Sequence, residues 1–225
     1  MSAMSAGGVL FDLDGTLLDL PVDIEPVRRE VERLLREAGD GGPARPLLDA
    51  IDRADRAAAG QGGGRLRARA RALLDAAELA AAPRARARPG AVGAAAALAR
   101  RGLRLAIVTD NGRACLAPAL AAAGLDAFAW HAVTRDDVAR PKPSPDGVVA
   151  AARAMCPAGG ALWFAGDTPR DLAACRAAAG ELGPAFRLHA AAVLGGRASE
   201  AALRQAGPDS IASTLADFAA RVAAG

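Results

Sequence analysis

Short apolar runs alternate with helical segments from residue 89 to the end of the chain. An Ala-rich helical segment reaches Arg101, and segments of helical pattern separate the apolar runs that follow it. Strands that alternate with helices form parallel sheets with helices on both faces, so this order predicts a doubly wound, Rossmann-like α/β core. The apolar runs that we predict as strands are residues 103–108, 128–133, 162–165, 186–194 and 210–213.

Polar residues stand where three of the predicted strands end. A first strand is predicted over residues 7–14, where an apolar run leads into Asp12 and Asp14, and two later runs end in Thr109 and Asp167. In a doubly wound sheet the carboxyl ends of the parallel strands gather at one edge, where ligands bind. We therefore expect these polar side chains to converge.

Residues 19–88 show a different pattern, with helical periodicity and no strand signal. Stretches rich in Gly and Pro separate three helical segments. The predicted helices cover residues 24–38, a segment beginning near residue 47, and residues 65–82. We predict an α/β catalytic core formed by residues 1–18 and 89–225, with residues 19–88 inserted after the first strand as a small all-helical cap.

Composition and cysteine usage exclude several classes of protein. Of the 225 residues 52% are hydrophobic, which allows a sizeable core. The three cysteines are widely spaced with no CxxC pair, which indicates neither a disulfide framework nor a zinc site and favours the reducing cytosol. The chain shows no signal-peptide pattern and no apolar run of membrane-spanning length. We expect a cytoplasmic monomer or homodimer with no membrane partner.

The basic charge of the chain is mild, with a formal net charge of +3. The arginines at positions 65, 67, 69 and 71 fan around a helix, which is typical of solvated surface. The chain has no Tyr, and aromatic residues make up 3% of it, so platforms for base stacking are scarce. We predict no nucleic-acid partner; a nucleic-acid binder would show steeply salt-dependent association.

Lys142 is the only lysine in a chain with 28 Lys and Arg residues. An isolated lysine among arginines indicates a place that requires a compact ammonium group rather than a planar guanidinium. The following Ser144 and Pro145 are typical of a helix start, which puts Lys142 beside a natural anion site.

The acidic residues near the strand ends indicate a metal. Carboxylates held close together need a shared cation or proton, so Asp12, Asp14 and Asp167, with Asp171 one helical turn later, favour a hard cation such as Mg²⁺. Such an ion would let a phosphoryl group approach Asp12 as the candidate nucleophile.

Four short motifs follow one another along the chain. They are Phe11-Asp12-Leu13-Asp14-Gly15-Thr16, Thr109 with Asn111, Lys142, and Gly166-Asp167-Thr168-Pro169-Arg170-Asp171. In this order they resemble the motifs of the haloacid dehalogenase superfamily, over nearly the whole chain. The inserted helices resemble the α-helical cap of that superfamily, and the phosphoglycolate phosphatase-like hydrolases are the nearest group. The resemblance implies a Mg²⁺-dependent phosphatase acting on a small phosphorylated metabolite through an aspartyl-phosphate.

The resemblance also implies roles for the acidic residues. Asp12 is the nucleophile, and Asp14 is the acid/base, whose backbone carbonyl also meets Mg²⁺. Asp167 is the metal carboxylate, and Asp171 supports the metal through water. The superfamily's dehalogenases lack an acid at the place of Asp14, so its presence favours phosphoryl chemistry.

The remaining motif residues are implied to bind the phosphoryl group. Thr109 and Lys142 hold its oxygens, and Asn111 and the Gly112 amide line the same pocket. Asp110 adds an unusual negative charge beside that pocket.

Two other functions stay open at this stage. A phosphomutase of the same superfamily would use the same residues, and only product analysis separates it from a phosphatase. A phosphorylation-dependent signalling module also combines a sheet-end Asp, Mg²⁺, a Thr or Ser and a Lys, but it has no helical block after the first strand. For the phosphatase, we expect one or two of Arg65, Arg67, Arg69 and Arg71 to contact a remote anionic group of the substrate.

Overall fold

The computed structural model describes residues 6–37, 39–57 and 63–224. Strands alternate with helices over most of this length. The strands are β1 (Ala6–Phe11), β2 (Leu18–Asp19), β3 (Arg86–Ala87), β4 (Arg104–Val108), β5 (Trp130–Val133), β6 (Gly160–Gly166), β7 (Phe186–Val193) and β8 (Ser210–Ala212). The helices are α1 (Ile24–Glu37), α2 (Leu47–Ala57), α3 (Gly63–Ala81), α4 (Ala91–Arg100), α5 (Arg113–Ala122), α6 (Asp146–Met155), α7 (Pro169–Leu182), α8 (Glu200–Gln205) and α9 (Leu215–Ala224).

Six of the described strands form one parallel sheet in the order β5-β4-β1-β6-β7-β8. The chain builds outward from β1 through β4 to β5 and then returns to the other side of β1 with β6. The prediction of a doubly wound, Rossmann-like α/β core is confirmed. Because β4, β1 and β6 are neighbours, the polar residues that follow them are brought to one place at the carboxyl edge of the sheet.

Helices cover both faces of this sheet. Alternate residues of β1 point to opposite sides, so Val9 and Phe11 pack in one apolar cluster with α4, α5 and α9, while Leu10 packs in another with α6, α7 and α8. Phe11 lies edge-on against Trp130 and Phe218, with ring centroids 6.1 and 5.6 Å away. The buried central strand therefore holds its carboxyl end in a fixed position.

Helices α1, α2 and α3 form a separate apolar cluster beyond the carboxyl edge of the sheet, and we call these helices the cap. Val31, Ile51 and Leu74 contribute to that cluster, one from each helix. The predicted helix end at Ala38 and residues 60–62 of the break predicted over residues 60–64 lie outside the described residues. The rest of that predicted break is wrong, because Gly63 and Gly64 belong to α3, which begins two residues before the predicted start at residue 65.

The prediction of no strand within residues 19–88 is wrong in one respect. Strands β2 and β3 form an antiparallel ribbon in which Leu18 pairs with Ala87 and Asp19 with Arg86. Two-residue strands are too short to show alternation in a sequence. The ribbon joins the chain entering the cap to the chain leaving it, and we propose it as the junction between cap and core.

Within residues 6–37, 39–57 and 63–224, no helix is both long and apolar enough to cross a bilayer.

Candidate active site

Three neighbouring strands deliver polar side chains to one edge of the sheet. Asp12 follows β1, Thr109 follows β4 and Asp167 follows β6, and all three side chains are buried. Backbone hydrogen bonds continue past the strands, from the Asp12 amide to the Ala165 carbonyl (2.9 Å) and from the Thr109 amide to the Val133 carbonyl (3.0 Å). The polar side chains are therefore attached to rigid backbone.

Lys142 lies in the middle of this edge, and its side chain is only 6% exposed. Its Nζ donates to Asp12 Oδ1 (2.5 Å), Asp171 Oδ1 (2.6 Å) and the Val108 carbonyl (3.2 Å). These contacts use all three donors of an ammonium group. Burial lowers the pKa of Lys142, but the charges of Asp12, Asp171 and Asp110 outweigh it and raise that pKa above its ordinary value, so the group stays charged.

The loop before α6 is fixed by an acid that the sequence marks as unusual. Asp110 Oδ1 accepts a hydrogen bond from the backbone amide of Lys142 (3.0 Å). Arg170 donates to the Lys142 carbonyl and also bonds Asp49 in the cap (2.9 Å). Asp110 thus holds the lysine's backbone, and Arg170 connects that backbone to the cap.

A buried acidic cluster surrounds the lysine. Carboxylate oxygens of Asp12, Asp167 and Asp171 all lie within 4.8 Å of one another. Burial raises the pKa of Asp12 well above its ordinary value, Lys142 opposes that shift, and the charges of Asp171 and Asp167 add to it. One lysine does not neutralise three buried carboxylates, so the donor set fits a hard divalent cation.

The cluster is held in place by local structure. Asp167 accepts from the Thr16 hydroxyl (2.8 Å) and from the Arg197 amide (2.6 Å). A Cβ at Gly196 would lie 2.3 Å from the Asp167 carboxylate, so only glycine allows the chain to approach that closely. Asp171 Oδ2 accepts from the Thr168 amide and hydroxyl, which leaves Oδ1 for the lysine. Each carboxylate therefore has a fixed orientation.

Asp14 lies beside the cluster, and its carboxylate is not one of the three grouped oxygens. Its Oδ1 accepts from the Leu20 amide (3.0 Å) and its Oδ2 from Arg197. Burial raises the pKa of Asp14, against the attraction of Arg197. A carboxyl group near Asp12 with a raised pKa is suited to proton transfer. The implied metal contact through its backbone carbonyl stays a prediction.

The loop of residues 109–112 contains the other predicted phosphate binders. The Thr109 hydroxyl and Asn111 are hydrogen-bonded to each other, with Oγ1 donating to Asn111 Oδ1 (2.8 Å) and accepting from the Asn111 amide (3.1 Å). The donors of Asn111 and Gly112 instead face Glu78 of the cap, at 3.1 and 2.8 Å. The structure therefore brings Thr109 to the site but engages Asn111 and Gly112 with a carboxylate that the sequence analysis missed.

A cavity of about 350 Å³ separates the cap from the carboxyl edge of the sheet. Its floor includes Asp12, Asp14, Thr109 and Lys142, and the cap contributes Arg28, Leu47, Leu74 and Glu78. The cavity thus has a charged floor and a partly apolar roof.

The arginines singled out from the sequence do not line this cavity. Arg67 pairs with Asp52 (3.1 Å) and donates to the Ala139 carbonyl, and Arg69 lies 3.4 Å from Glu30. Arg67 thus contacts the core outside the cavity and Arg69 pairs within the cap, whereas Leu74 and Glu78 are the residues of α3 that line the cavity. The expectation of a substrate contact from Arg65, Arg67, Arg69 or Arg71 is not supported by this arrangement.

Functional candidates missed by the sequence analysis are Arg28, Glu78, Arg135 and Arg197. One signal for Glu78 was available, because it lies at helical spacing in a stripe that otherwise contains Leu74 and Ala81. An acidic residue on an apolar face needs a buried partner. No comparable pattern marks the three arginines.

The chain matches known hydrolases in both sequence and fold. A family model described as haloacid dehalogenase-like hydrolase matches residues 7–179. A plasmid phosphoglycolate phosphatase of Cupriavidus necator is 33% identical, over 76% of this chain and 76% of that protein. The structure of a hydrolase from Pseudomonas syringae matches with a TM-score of 0.69 and 22% identity, over 97% of this chain and 98% of the other.

A second solved structure shares the fold. It is a HAD family hydrolase from Deinococcus radiodurans with bound phosphate and sodium, which matches with a TM-score of 0.63 and 22% identity. The match covers 99% of this chain and 97% of that one. At this level of identity the two structures show the common fold alone.

Proposed function

Because the chain belongs to the haloacid dehalogenase-like hydrolases, we propose that it is a Mg²⁺-dependent phosphatase that hydrolyses a small phosphomonoester through an aspartyl-phosphate on Asp12. The observation that carries this proposal is the buried contact of Asp12 with Lys142, beside two further carboxylates. A carboxylate in such a place can approach a phosphate only if the negative charge is balanced.

The residues that would hold Mg²⁺ are Asp12, Asp167 and Asp171, with the backbone of Asp14. When bound, the ion supplies positive charge that neutralises the phosphoryl oxygens and the acids around them. Lys142 adds a fixed ammonium on the same floor of the cavity. Thr109 would donate to the phosphoryl group once its hydroxyl proton turns away from Asn111 Oδ1, which accepts it in this structure.

The proposed reaction has two displacements at phosphorus. First, a carboxylate oxygen of Asp12 forms a bond to phosphorus while the bond to the ester oxygen breaks, and Asp14 donates its proton to that leaving oxygen. Next, Asp14 takes a proton from a water, whose oxygen attacks phosphorus and displaces Asp12. Inorganic phosphate and the alcohol leave, and both carboxyl groups return to their initial state. The raised pKa of Asp14 favours the protonated form that the first displacement needs.

The test of this chemistry is Asp12→Asn, assayed with p-nitrophenyl phosphate and Mg²⁺. The amide keeps the shape of the side chain but is a poor nucleophile, so we expect turnover to fall to background while thermal unfolding stays cooperative. The exposed residue Asp126 provides a control, and Asp126→Asn should keep wild-type activity. Chelation should also abolish the activity, and Mg²⁺ should restore it. Full turnover by Asp12→Asn would refute the nucleophile, and turnover in excess chelator would refute the metal.

We propose further that the substrate has a carboxylate besides its phosphoryl group, as phosphoglycolate does. Support comes from Arg28, a cap residue that lines the cavity with a side chain only 13% exposed. Its NH1 pairs with Glu25, whereas its buried Nε has no hydrogen-bond partner among the described residues. A buried donor without a partner has a free-energy cost that an anionic ligand would remove. The relative from Cupriavidus necator is a phosphoglycolate phosphatase.

A comparison of two substrates tests the role of Arg28. We expect Arg28→Ala to lower kcat/KM for phosphoglycolate at least tenfold and to leave p-nitrophenyl phosphate within about twofold, because only the former has a carboxylate. Arg69→Ala is the matched control, since Arg69 is a cap arginine outside the cavity. A screen of sugar phosphates and nucleotides alongside would identify a different substrate. Equal losses on both substrates would refute a carboxylate contact.

The main alternative is a phosphomutase, in which the aspartyl-phosphate is passed to a second hydroxyl of the substrate rather than to water. Release of inorganic phosphate in step with the alcohol supports the phosphatase, and an isomeric phosphate ester without free phosphate supports the mutase. A signalling module would keep its phosphoryl group for minutes rather than turn over.

A further inference from the structure

Glu78 is a buried carboxylate at the boundary between the cap and the core. It belongs to α3 and is 3% exposed, and both of its oxygens are hydrogen-bonded. Oε1 accepts from Arg135 NH1 (2.8 Å) and from Asn111 Nδ2 (3.1 Å), while Oε2 accepts from Arg135 NH2 (2.8 Å) and from the Gly112 amide (2.8 Å). Four nitrogen donors from the core thus converge on one cap residue, and the Cys115 thiol lies 3.9 Å from Oε2.

The guanidinium that pairs with Glu78 is fixed more firmly still. The Arg135 side chain is fully buried, and its NH1 also donates to the Asp110 carbonyl (2.8 Å). Its NH2 contacts Asp75, one turn before Glu78 on α3. Arg135 therefore contacts the loop of residues 109–112 directly, and its partner Glu78 contacts the same loop. The ion pair holds the loop through both of its members.

A short chain of hydrogen bonds leads from this pair to the phosphate site. Asn111 uses its Nδ2 on Glu78 and its Oδ1 on the Thr109 hydroxyl (2.8 Å). Thr109 in turn lies on the cavity floor next to Lys142. A shift of the Glu78 carboxylate would turn the Asn111 amide and so move the hydroxyl that we assign to the phosphoryl group.

We propose that Glu78 is a positioning residue, whose carboxylate holds residues 109–112 in the geometry that binds the phosphoryl group. The cap thereby acts on phosphate affinity as well as on access to the cavity. Glu78 itself makes no bond to the substrate and takes no part in proton transfer. The inference rests on the proposed phosphatase, because it presupposes that Thr109 contacts a phosphoryl group.

Two substitutions separate the charge of Glu78 from the length of its side chain. Glu78→Gln replaces one oxygen by a donor, so at least two of the four core donors lose their acceptor. Glu78→Asp keeps a negative charge opposite Arg135 but, with a side chain shorter by one methylene, withdraws both carboxylate oxygens from the donors of the core. The matched control is Asp75→Asn, which removes the charge of the other acidic partner of Arg135. Asp75 packs against Gly112, where a Cβ would lie 2.4 Å from its Oδ1, and the isosteric Asn keeps that packing.

The measurement is calorimetric titration of each variant with orthovanadate in the presence of Mg²⁺, with thermal unfolding recorded in parallel. We expect the dissociation constant to rise at least tenfold in Glu78→Gln and Glu78→Asp, and kcat/KM for p-nitrophenyl phosphate to fall by a similar factor. Asp75→Asn should stay within about twofold in affinity even though its Tm falls. Glu78→Asp should not restore the affinity for orthovanadate, because this variant keeps the negative charge but has a shorter side chain.

The outcomes distinguish the two proposals. Wild-type affinity for orthovanadate in Glu78→Asp would overturn the positioning role, and so would an equal loss of affinity in Asp75→Asn. If Glu78→Gln fails to fold, Glu78→Asp alone decides, since it retains a negative charge opposite the buried Arg135. A wild-type protein that binds no orthovanadate would instead refute the phosphatase proposal itself.

Discussion

Replacing Lys142 by methionine removes the one ammonium group from the acidic floor of the cavity. Asp12, Asp167 and Asp171 then lie within 4.8 Å of one another without the cation that contacts two of them. Removing one partner of a buried ion pair costs about 3–5 kcal/mol. For a domain of this size, 1 kcal/mol shifts Tm by about 2–4 °C, so we expect Tm in chelator to fall by roughly 6–20 °C.

Metal should return part of this stability. A ligand at 100 times its Kd stabilises the state that binds it by about 2.7 kcal/mol. Without the lysine competing for Asp12 and Asp171, we expect Mg²⁺ to raise Tm more in Lys142→Met than in the wild type. Phosphatase activity should nevertheless be lost, because the phosphoryl group loses a fixed positive charge.

Lys142→Arg separates charge from shape at the same position. The three acceptors around Nζ suit a compact ammonium, whereas the longer, planar guanidinium overfills a buried site, at a cost of about 1–3 kcal/mol. Circular dichroism melts of both variants, in chelator and in Mg²⁺, provide the comparison. A Lys142→Met protein that melts within about 2 °C of the wild type in chelator would show that the floor is not held together by charge, and the reasoning would fail.

Three further outcomes follow from glycine contacts and buried thiols. Gly196→Ala should raise the Mg²⁺ concentration for half-maximal activity at least tenfold, because a Cβ there would lie 2.3 Å from the Asp167 carboxylate. Gly180→Ala, in the exposed part of α7 with nothing within 4 Å of the new Cβ, should raise unfolding stability by about 0.5–1 kcal/mol in denaturant melts. Burial raises the pKa of Cys115 and of Cys175 to about 12, so iodoacetamide at pH 8 should label neither until the protein unfolds, as peptide mass mapping would show.

Much of the site could be predicted from the sequence because three of its residues follow regular elements. Asp12, Thr109 and Asp167 directly follow apolar strands, and parallel pairing brings the carboxyl ends of those strands to one edge. Lys142 stood out by composition alone. A single sequence shows both which residues end an apolar strand and which residue type occurs only once.

The roof could not be predicted in the same way. Arg28 meets the cavity only after α1 has folded over the sheet, and nothing in its neighbourhood distinguishes it from the other cap arginines. Arg135 pairs with Glu78 across 57 residues of sequence. Contacts between the cap helices and the core depend on where the cap lies over the sheet. The spacing of apolar residues along the chain does not determine that placement. The wrong expectation for the arginines of α3 has the same origin.

The two-residue ribbon has a consequence for how such chains diversify. Paired strands lie about 4.8 Å apart, so the chain passes Asp19 and Arg86 side by side at the junction that we propose between cap and core. Whatever is inserted between those positions, its ends meet the sheet in the same way, and its length does not strain β1 or β4. Segments of different size and sequence can therefore be exchanged at this point, provided that residues such as Ala82 and Ala85, which pack in the core cluster, are kept. Substrate choice can then change by recombination of one continuous segment while the chemistry below it is inherited intact.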